Sequence, residues 1–266
     1  MAELDLRGIN LRNDIIFKYV FASENSEDIL ISFINAVLID SLQKPIAEIE
    51  YMDPNNLKEF PEDKYTVIDI KAMDEAGRLY NIEMQVQSEQ HFTERVIYYN
   101  SKLLSGQLEE AQSYKKLNKT ISIAITDFKL FKSEKAIHNI YRLLNVKSYK
   151  ELANLTEYHF IELPKYKDDK SYDDPINRWI YMLVNGENFI NNPELLPDSI
   201  KKEAMIMKAM QKMQKAAADP ELRAIIEYRE KAIRDEADKL FYAEKKGEKR
   251  GMMLGKHEGV LERNLM

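Results

Sequence analysis

The sequence predicts an α/β protein: a mixed central sheet flanked by helices, with a helical C-terminal tail. Three observations carry that prediction. Residues 65–71 and 80–87 each alternate apolar and polar, the period of a strand, and a short turn separates them. A further segment, Thr120-Ile121-Ser122-Ile123-Ala124-Ile125-Thr126, looks like a buried strand and has the place of the last strand in a right-handed strand–helix–strand crossover. Past Pro197 the chain turns rich in Ala, Met, Lys and Glu, the composition of helices.

In chain order, residues 10–39 read as helical, with Phe17, Val20, Phe21, Ile29, Ile31, Phe33, Ile34 and Val37 at mostly helical spacing and a break near 23–26. Residues 45–52 alternate and read as a strand, and Asp53-Pro54-Asn55-Asn56 reads as a turn. The hairpin follows, turning through Asp74-Glu75-Ala76-Gly77-Arg78, where Gly77 suits a positive φ. Residues 91–113 predict one long helix with Phe92, Val96, Leu103, Leu104 and Leu108 among its apolar positions, and 160–163 a further strand. The expected division is a domain over 1–197 and a helical extension over 198–266. In the extension Gly247, Gly251, Gly255 and Gly259 recur every four residues. Four glycines cost a helix about 1 kcal/mol each relative to Ala, so weak order is expected near 247–266 without a partner, and self-association is expected through the C-terminal helices.

The hairpin carries the chemistry. Folded symmetrically about Ala76, it sets Asp69 opposite Glu83 and Val67 opposite Gln85. Ile68, Ile70, Ile82, Met84 and Val86 then share the buried face, and the polar face is wet. Carboxylates directly across a sheet repel, and a divalent cation held by oxygen converts that repulsion into binding. Carboxylates are also commonplace on a solvated hairpin face, so the pattern by itself does not decide.

The residues nearby resemble one family. Asp69 followed by Glu83-Met84-Gln85 resembles a PD-(D/E)XK nuclease core in its E-x-Q form. Asn13-Asp14-Ile15-Ile16-Phe17-Lys18, Phe92-Thr93-Glu94-Arg95 with Tyr98 and Gln107, and Ile161-Glu162-Leu163-Pro164-Lys165 resemble the recombination-promoting nuclease and transposase (Rpn) family. The resemblance spans about residues 9–190. It implies a restriction-endonuclease-like core acting as a DNA endonuclease with Mg²⁺ or Mn²⁺. Asp69, Glu83 and Gln85 would be catalytic, and Asp69, Glu83 and the Met84 carbonyl would hold metal. By their own spacing Asp14 and Lys18, four apart on one helical face, are either a surface ion pair or support for the site from the first helix, and Arg95, Tyr99 and Lys102, on another helical face, either hold DNA phosphates or form a solvated face. Gln85 stands where the commoner motif has Lys. An amide can orient water but brings no positive charge, and Lys71 and Lys18 are the substitutes at hand. A catalytically weak or inactive nuclease-fold protein that binds DNA or another protein is the alternative.

Composition narrows the rest. There is no Cys, which excludes disulfides, thiolate zinc sites and a cysteine nucleophile and fits a reducing cytoplasm. His91, His138, His159 and His257 are not in ligand spacing. No apolar run reaches membrane-span length, and Met1-Ala2-Glu3-Leu4-Asp5 lacks the basic start of a signal peptide. Of 39 basic and 45 acidic residues, 23 and 33 lie in 1–200. An acidic body with a basic tail is not the charge pattern of a tight non-specific DNA binder, so local basic positions would have to hold the phosphates. No Walker, dinucleotide or nucleophile-elbow motif occurs.

Overall fold

The computed structural model describes residues 6, 8–52, 70–168 and 172–263. Asp14–Ala22 (α1) and Glu27–Val37 (α2) form the expected helical pair, broken at 23–26. Asn13 caps α1 by accepting from the Ile15 and Ile16 amides. Ile49–Tyr51 (β1), Ile70–Asp74 (β2) and Leu79–Gln85 (β3) follow, then Phe92–Ser105 (α3), Thr120–Thr126 (β4), His138–Arg142 (β5) and Thr156–Glu162 (β6). Pro175–Asn185 (α4), Asp198–Lys201 (α5), Ala204–Ala218 (α6) and Pro220–Arg263 (α7) complete the chain.

The six strands make one mixed sheet in the order β1-β2-β3-β4-β6-β5. β1, β2 and β3 are antiparallel, β3, β4 and β6 are parallel, and β5 returns antiparallel on the edge. The β2–β3 register pairs Ile70 with Ile82, Lys71 with Asn81, Ala72 with Tyr80 and Met73 with Leu79, a hairpin symmetric about Ala76. Asp74 organises its turn. One carboxylate oxygen accepts from the amides of Ala76 (3.0 Å) and Arg78 (2.9 Å), and the other from Arg78 Nε (2.5 Å) and the Tyr80 hydroxyl (2.7 Å). Gly77 sits at φ 77°, and a Cβ there would meet the Asn118 side chain at 2.8 Å. Residues 65–69, including Asp69, lie outside the described residues.

Strand pairing sorts side chains onto two faces. Ile70, Ile82, Met84, Ile123, Ile125 and Ile161 are buried on one, where α1 lies against β2 and β3. Phe21, Phe33 and Trp179 stack within 5.7 Å of one another in this helical layer, which places Trp179 in the core. Asn81, Glu83, Ser122, Ala124 and Phe160 lie on the other face, where α3 packs. Asn100 Nδ2 donates to Ser122 Oγ at 2.8 Å, and its Oδ1 accepts from Thr120 Oγ1 at 2.7 Å.

Several expectations need correction. The polar face of the hairpin is not wet, because α3 covers it and Glu83 is 7% exposed. Val86 lies past the end of β3 and is exposed. α3 stops at Ser105, where the Gly106 amide bonds the Lys102 carbonyl, rather than running to 113. Gln107, just beyond, pins the connection to β4 through paired bonds with the Asn118 amide (2.7 Å) and carbonyl (2.9 Å). The edge strand β5 has no counterpart among the expected elements.

The chain divides into compact units after Ala218, not after Pro197. α6 belongs to the first unit. It buries Ile206, Met210 and Met213, and Lys208 reaches both carboxylate oxygens of Asp28 at 2.6–2.7 Å. The second unit holds α7, which is helical through Gly247, Gly251, Gly255 and Gly259. Glycine's propensity alone predicts weak order there. The helix instead propagates from an established upstream segment, and strong helix formers fill most positions between the glycines. Among the described residues no helix is long and apolar enough to cross a membrane.

Candidate active site

β3 is central in the sheet, and its pleat sends Asn81, Glu83 and Gln85 to the face beneath α3. One turn into α3, Arg95 reaches back to this strand. Its Nη2 donates to Gln85 Oε1 at 3.0 Å and forms an ion pair with Glu83 Oε1. Its Nη1 pairs with Glu89, and its guanidinium lies 5.0 Å from the Phe92 ring centroid. Gln85 Nε2 closes the ring by donating to Glu89 Oε1 at 2.9 Å and to the Gln87 carbonyl at 3.0 Å. The carboxylate of Glu83 and the amide oxygen of Gln85 therefore converge on one cationic nitrogen. The pair is shielded: the Glu83 side chain is 9% exposed and that of Arg95 22%.

Beneath this ring the layer stays polar. Lys71 is paired across the hairpin with Asn81 and is buried, which puts it on the Glu83 face and diagonal to Glu83, within reach of a long side chain. Asn81 is 2% exposed, and its Oδ1 has no hydrogen-bond partner among the described residues. At the strand ends the Asp127 amide donates to the Gln85 carbonyl at 3.0 Å. Burial raises the Asp127 pKa against the opposing pull of Arg12, 3.7 Å away.

The other predicted residues fall out as follows. Asp14 opens α1 and accepts from the Ile15 amide. It and Lys18 are partly buried. Arg95 is engaged by Glu83, Gln85 and Glu89 rather than presented to solvent. Tyr99 is 8% exposed, while Lys102 lies 5.3 Å from the Tyr98 ring centroid. Met84 is buried on the opposite face of β3 from Glu83. Asp69 is outside the described residues. Sequence reading missed Glu89, although Gln87-Ser88-Glu89 directly follows the motif, and it missed the pairing of Arg95 with Glu83. Glu162 and Lys165 of the Ile161–Lys165 segment form a buried ion pair.

A set of oxygen donors suits a hard divalent cation. Glu83 and Gln85 already converge on a positive charge, so they fit such an ion. Among the described residues no group of three or more His, Cys, Asp or Glu is clustered to complete it. A central strand with a carboxylate and an amide on one face, an antiparallel hairpin partner, a parallel neighbour and a covering helix defines a nuclease-type α/β fold. The chain belongs to the PD-(D/E)XK nuclease family transposases, whose family model matches residues 11–243. No curated protein and no solved structure gives a match. Nucleases of this class typically use divalent metal ions, and membership implies a DNA substrate.

Proposed function

We propose that the protein is a Mg²⁺- or Mn²⁺-dependent DNA endonuclease that hydrolyses phosphodiester bonds and promotes recombination. The observation that carries this reading is the convergence of Glu83 and Gln85 oxygens on one cationic nitrogen on the helix-covered face of the central strand. Glu83, Asp69 and the Met84 carbonyl would hold the metal. One further step of the β2–β3 register, beyond Ile70 and Ile82, is what the pairing of Asp69 with Glu83 requires. When bound, a divalent ion supplies a lowered pKa for water and charge stabilisation at the scissile phosphate.

The chain's own residues do the rest. Gln85 orients a water by hydrogen bonding. Lys71 supplies, from the neighbouring strand, the amine that Gln85 does not. Arg95 sits where developing negative charge would be stabilised once it leaves Glu83. Asp14 and Lys18 support the site from α1, and Lys102 holds backbone phosphate; Tyr99, which is buried, and Arg95, which is engaged by Glu83, Gln85 and Glu89, do not share that role. The test is nicking of supercoiled plasmid with Mg²⁺ or Mn²⁺. Glu83→Ala, Asp69→Ala and Lys71→Met are expected to lose cutting, and undiminished cutting by Asp69→Ala overturns the assignment.

One observation favours a second reading. Arg95 pairs with Glu83 and so compensates its charge from within the chain, as a site that needs no metal would. A catalytically silent DNA-binding or protein-interaction module predicts no metal-dependent product from wild type and salt-dependent DNA affinity that metal does not change.

A further inference from the structure

We infer that the β4–β5 loop, residues 127–137, is a phosphate-binding rail that guides a DNA backbone to the site. The loop leaves β4 beside Gln85, through the bond from the Asp127 amide to the Gln85 carbonyl. Phe128 then packs edge-on against Phe92, ring centroids 6.0 Å apart, and Phe92 is the ring on which Arg95 rests. Lys129, the next residue, is thus one ring pair and one stacked guanidinium away from Glu83.

Two features turn this loop into a rigid cationic edge. Its apolar residues point inward: Phe128, Leu130 and Phe131 pack on the cluster of Phe92, Val96, Ala124 and Phe160. Its backbone is bolted down by the buried pair Glu162–Lys165. One Glu162 oxygen accepts from the amides of Leu130 (2.7 Å) and Phe131 (3.1 Å), and the other takes Lys165 Nζ and Asn139 Nδ2 (3.3 Å). Lys165 Nζ also donates to the Phe131 carbonyl at 3.0 Å. Thr126 Oγ1 holds the Phe128 carbonyl at 2.8 Å, and the Glu162 amide holds that of Ile137 at 2.8 Å.

What remains outward is Lys129, Lys132 and Lys135, all exposed and every third residue. None forms an ion pair among the described residues. The acids on the loop are exposed Glu134 and half-buried Asp127, which faces Arg12. In a body otherwise acidic by composition, three unengaged ammonium groups on a fixed scaffold are a local positive feature. Lysine is a flexible point charge without base-reading geometry, so the rail touches phosphates and is independent of sequence.

The inference rests on the nuclease reading for the identity of its ligand, and the two fail differently. The probe is a fluorescently labelled DNA duplex, with anisotropy followed from 50 to 200 mM salt in the full-length protein. Replacing Lys129, Lys132 and Lys135 together by Gln should weaken binding by tens of fold at 50 mM. It should flatten the slope of log K against log salt by about 0.9 for each phosphate no longer neutralised. The triple Arg replacement should keep both. Lys115→Gln with Lys116→Gln, exposed before the start of β4, is the control and should change little. Wild-type affinity and slope in the Gln variant overturn the rail while leaving the nuclease reading intact. Salt-dependent binding that the Gln variant weakens, with no cutting under any metal, overturns the nuclease reading and upholds the rail. Absence of duplex binding by wild type, or equal weakening by the control pair, also refutes the rail.

Discussion

Replacing Arg95 by Met isolates the electrostatic heart of the site. The substitution keeps an apolar stem on Phe92 and removes the guanidinium from Glu83, Gln85 and Glu89. Breaking a buried ion pair from one side costs about 3–5 kcal/mol because the remaining charge loses its counter-ion. Here the Arg95 side chain is 22% exposed, so water screens part of that loss and about 2–3 kcal/mol is expected. For a domain of this size that is a fall in melting temperature of roughly 5–10 °C. A divalent ion should then do what Arg95 did. At a metal concentration a hundred times its dissociation constant, linkage returns about 2.7 kcal/mol. Wild type should gain less, since the ion must first displace the guanidinium. The double variant Arg95→Met with Glu83→Gln removes the stranded charge, so it should recover part of the lost stability and show no metal shift. Thermal melts with and without Mn²⁺ decide it. Unchanged stability in Arg95→Met, or a metal shift that survives Glu83→Gln, refutes the reasoning.

Three further outcomes are expected. Burial pushes the pKa of His138 down to about 4 and that of His159 below its ordinary value, and the two rings share a 2.8 Å hydrogen bond ending on buried Glu157. The unfolded imidazoles protonate near 6.5 while the folded His138 resists until about 4. Stability should therefore fall as pH drops through that window, by up to roughly 3 kcal/mol for His138; His138→Gln should flatten the acid limb of a denaturant-midpoint profile. Glu162→Gln leaves the 7%-exposed Lys165 side chain without its counter-charge, so it should cost about 3 kcal/mol and speed amide hydrogen exchange at Leu130 and Phe131. Truncation after Ala218 should leave a cooperative melt, whereas truncation after Pro197 strips α6 and its buried Ile206, Met210 and Met213, each worth about 1.5–3 kcal/mol, and should yield aggregated protein; light scattering of the two against full length also reads any self-association through α7.

Much of the fold is readable from residues alone. The turn at 74–78 marks the hairpin because the Asp74 side chain accepts the amides of its own turn, and Ile121, Ile123 and Ile125 at every second position mark Thr120–Thr126 as a strand. The burial of Glu83 is not readable. Its face looks polar in sequence, and polarity there is matched by Arg95 and Asn100 from a helix, a pairing no period reveals. β5 is hidden because His138–Arg142 is half-exposed and edge-placed, so it carries no alternation. The boundary after Pro197 misleads because α6 shares its Ala- and Met-rich composition with the tail yet spends it on α1 and α2.

Asn100 has a consequence beyond its two bonds. Apolar side chains of α3 would accept several seats on the sheet, since grease is indifferent to small slides. An amide that must meet Ser122 and Thr120 together accepts one. A slip of one helical turn would carry Arg95 about 5.4 Å along the strand and out of reach of Glu83. The helix is thus indexed like a key in a lock five residues from the charge it delivers, by a fully buried amide rather than by the apolar contacts around it. Variants at Asn100 therefore lose alignment together with the roughly 1–3 kcal/mol of a buried bond left unmade, and a stability screen alone would read only the second loss.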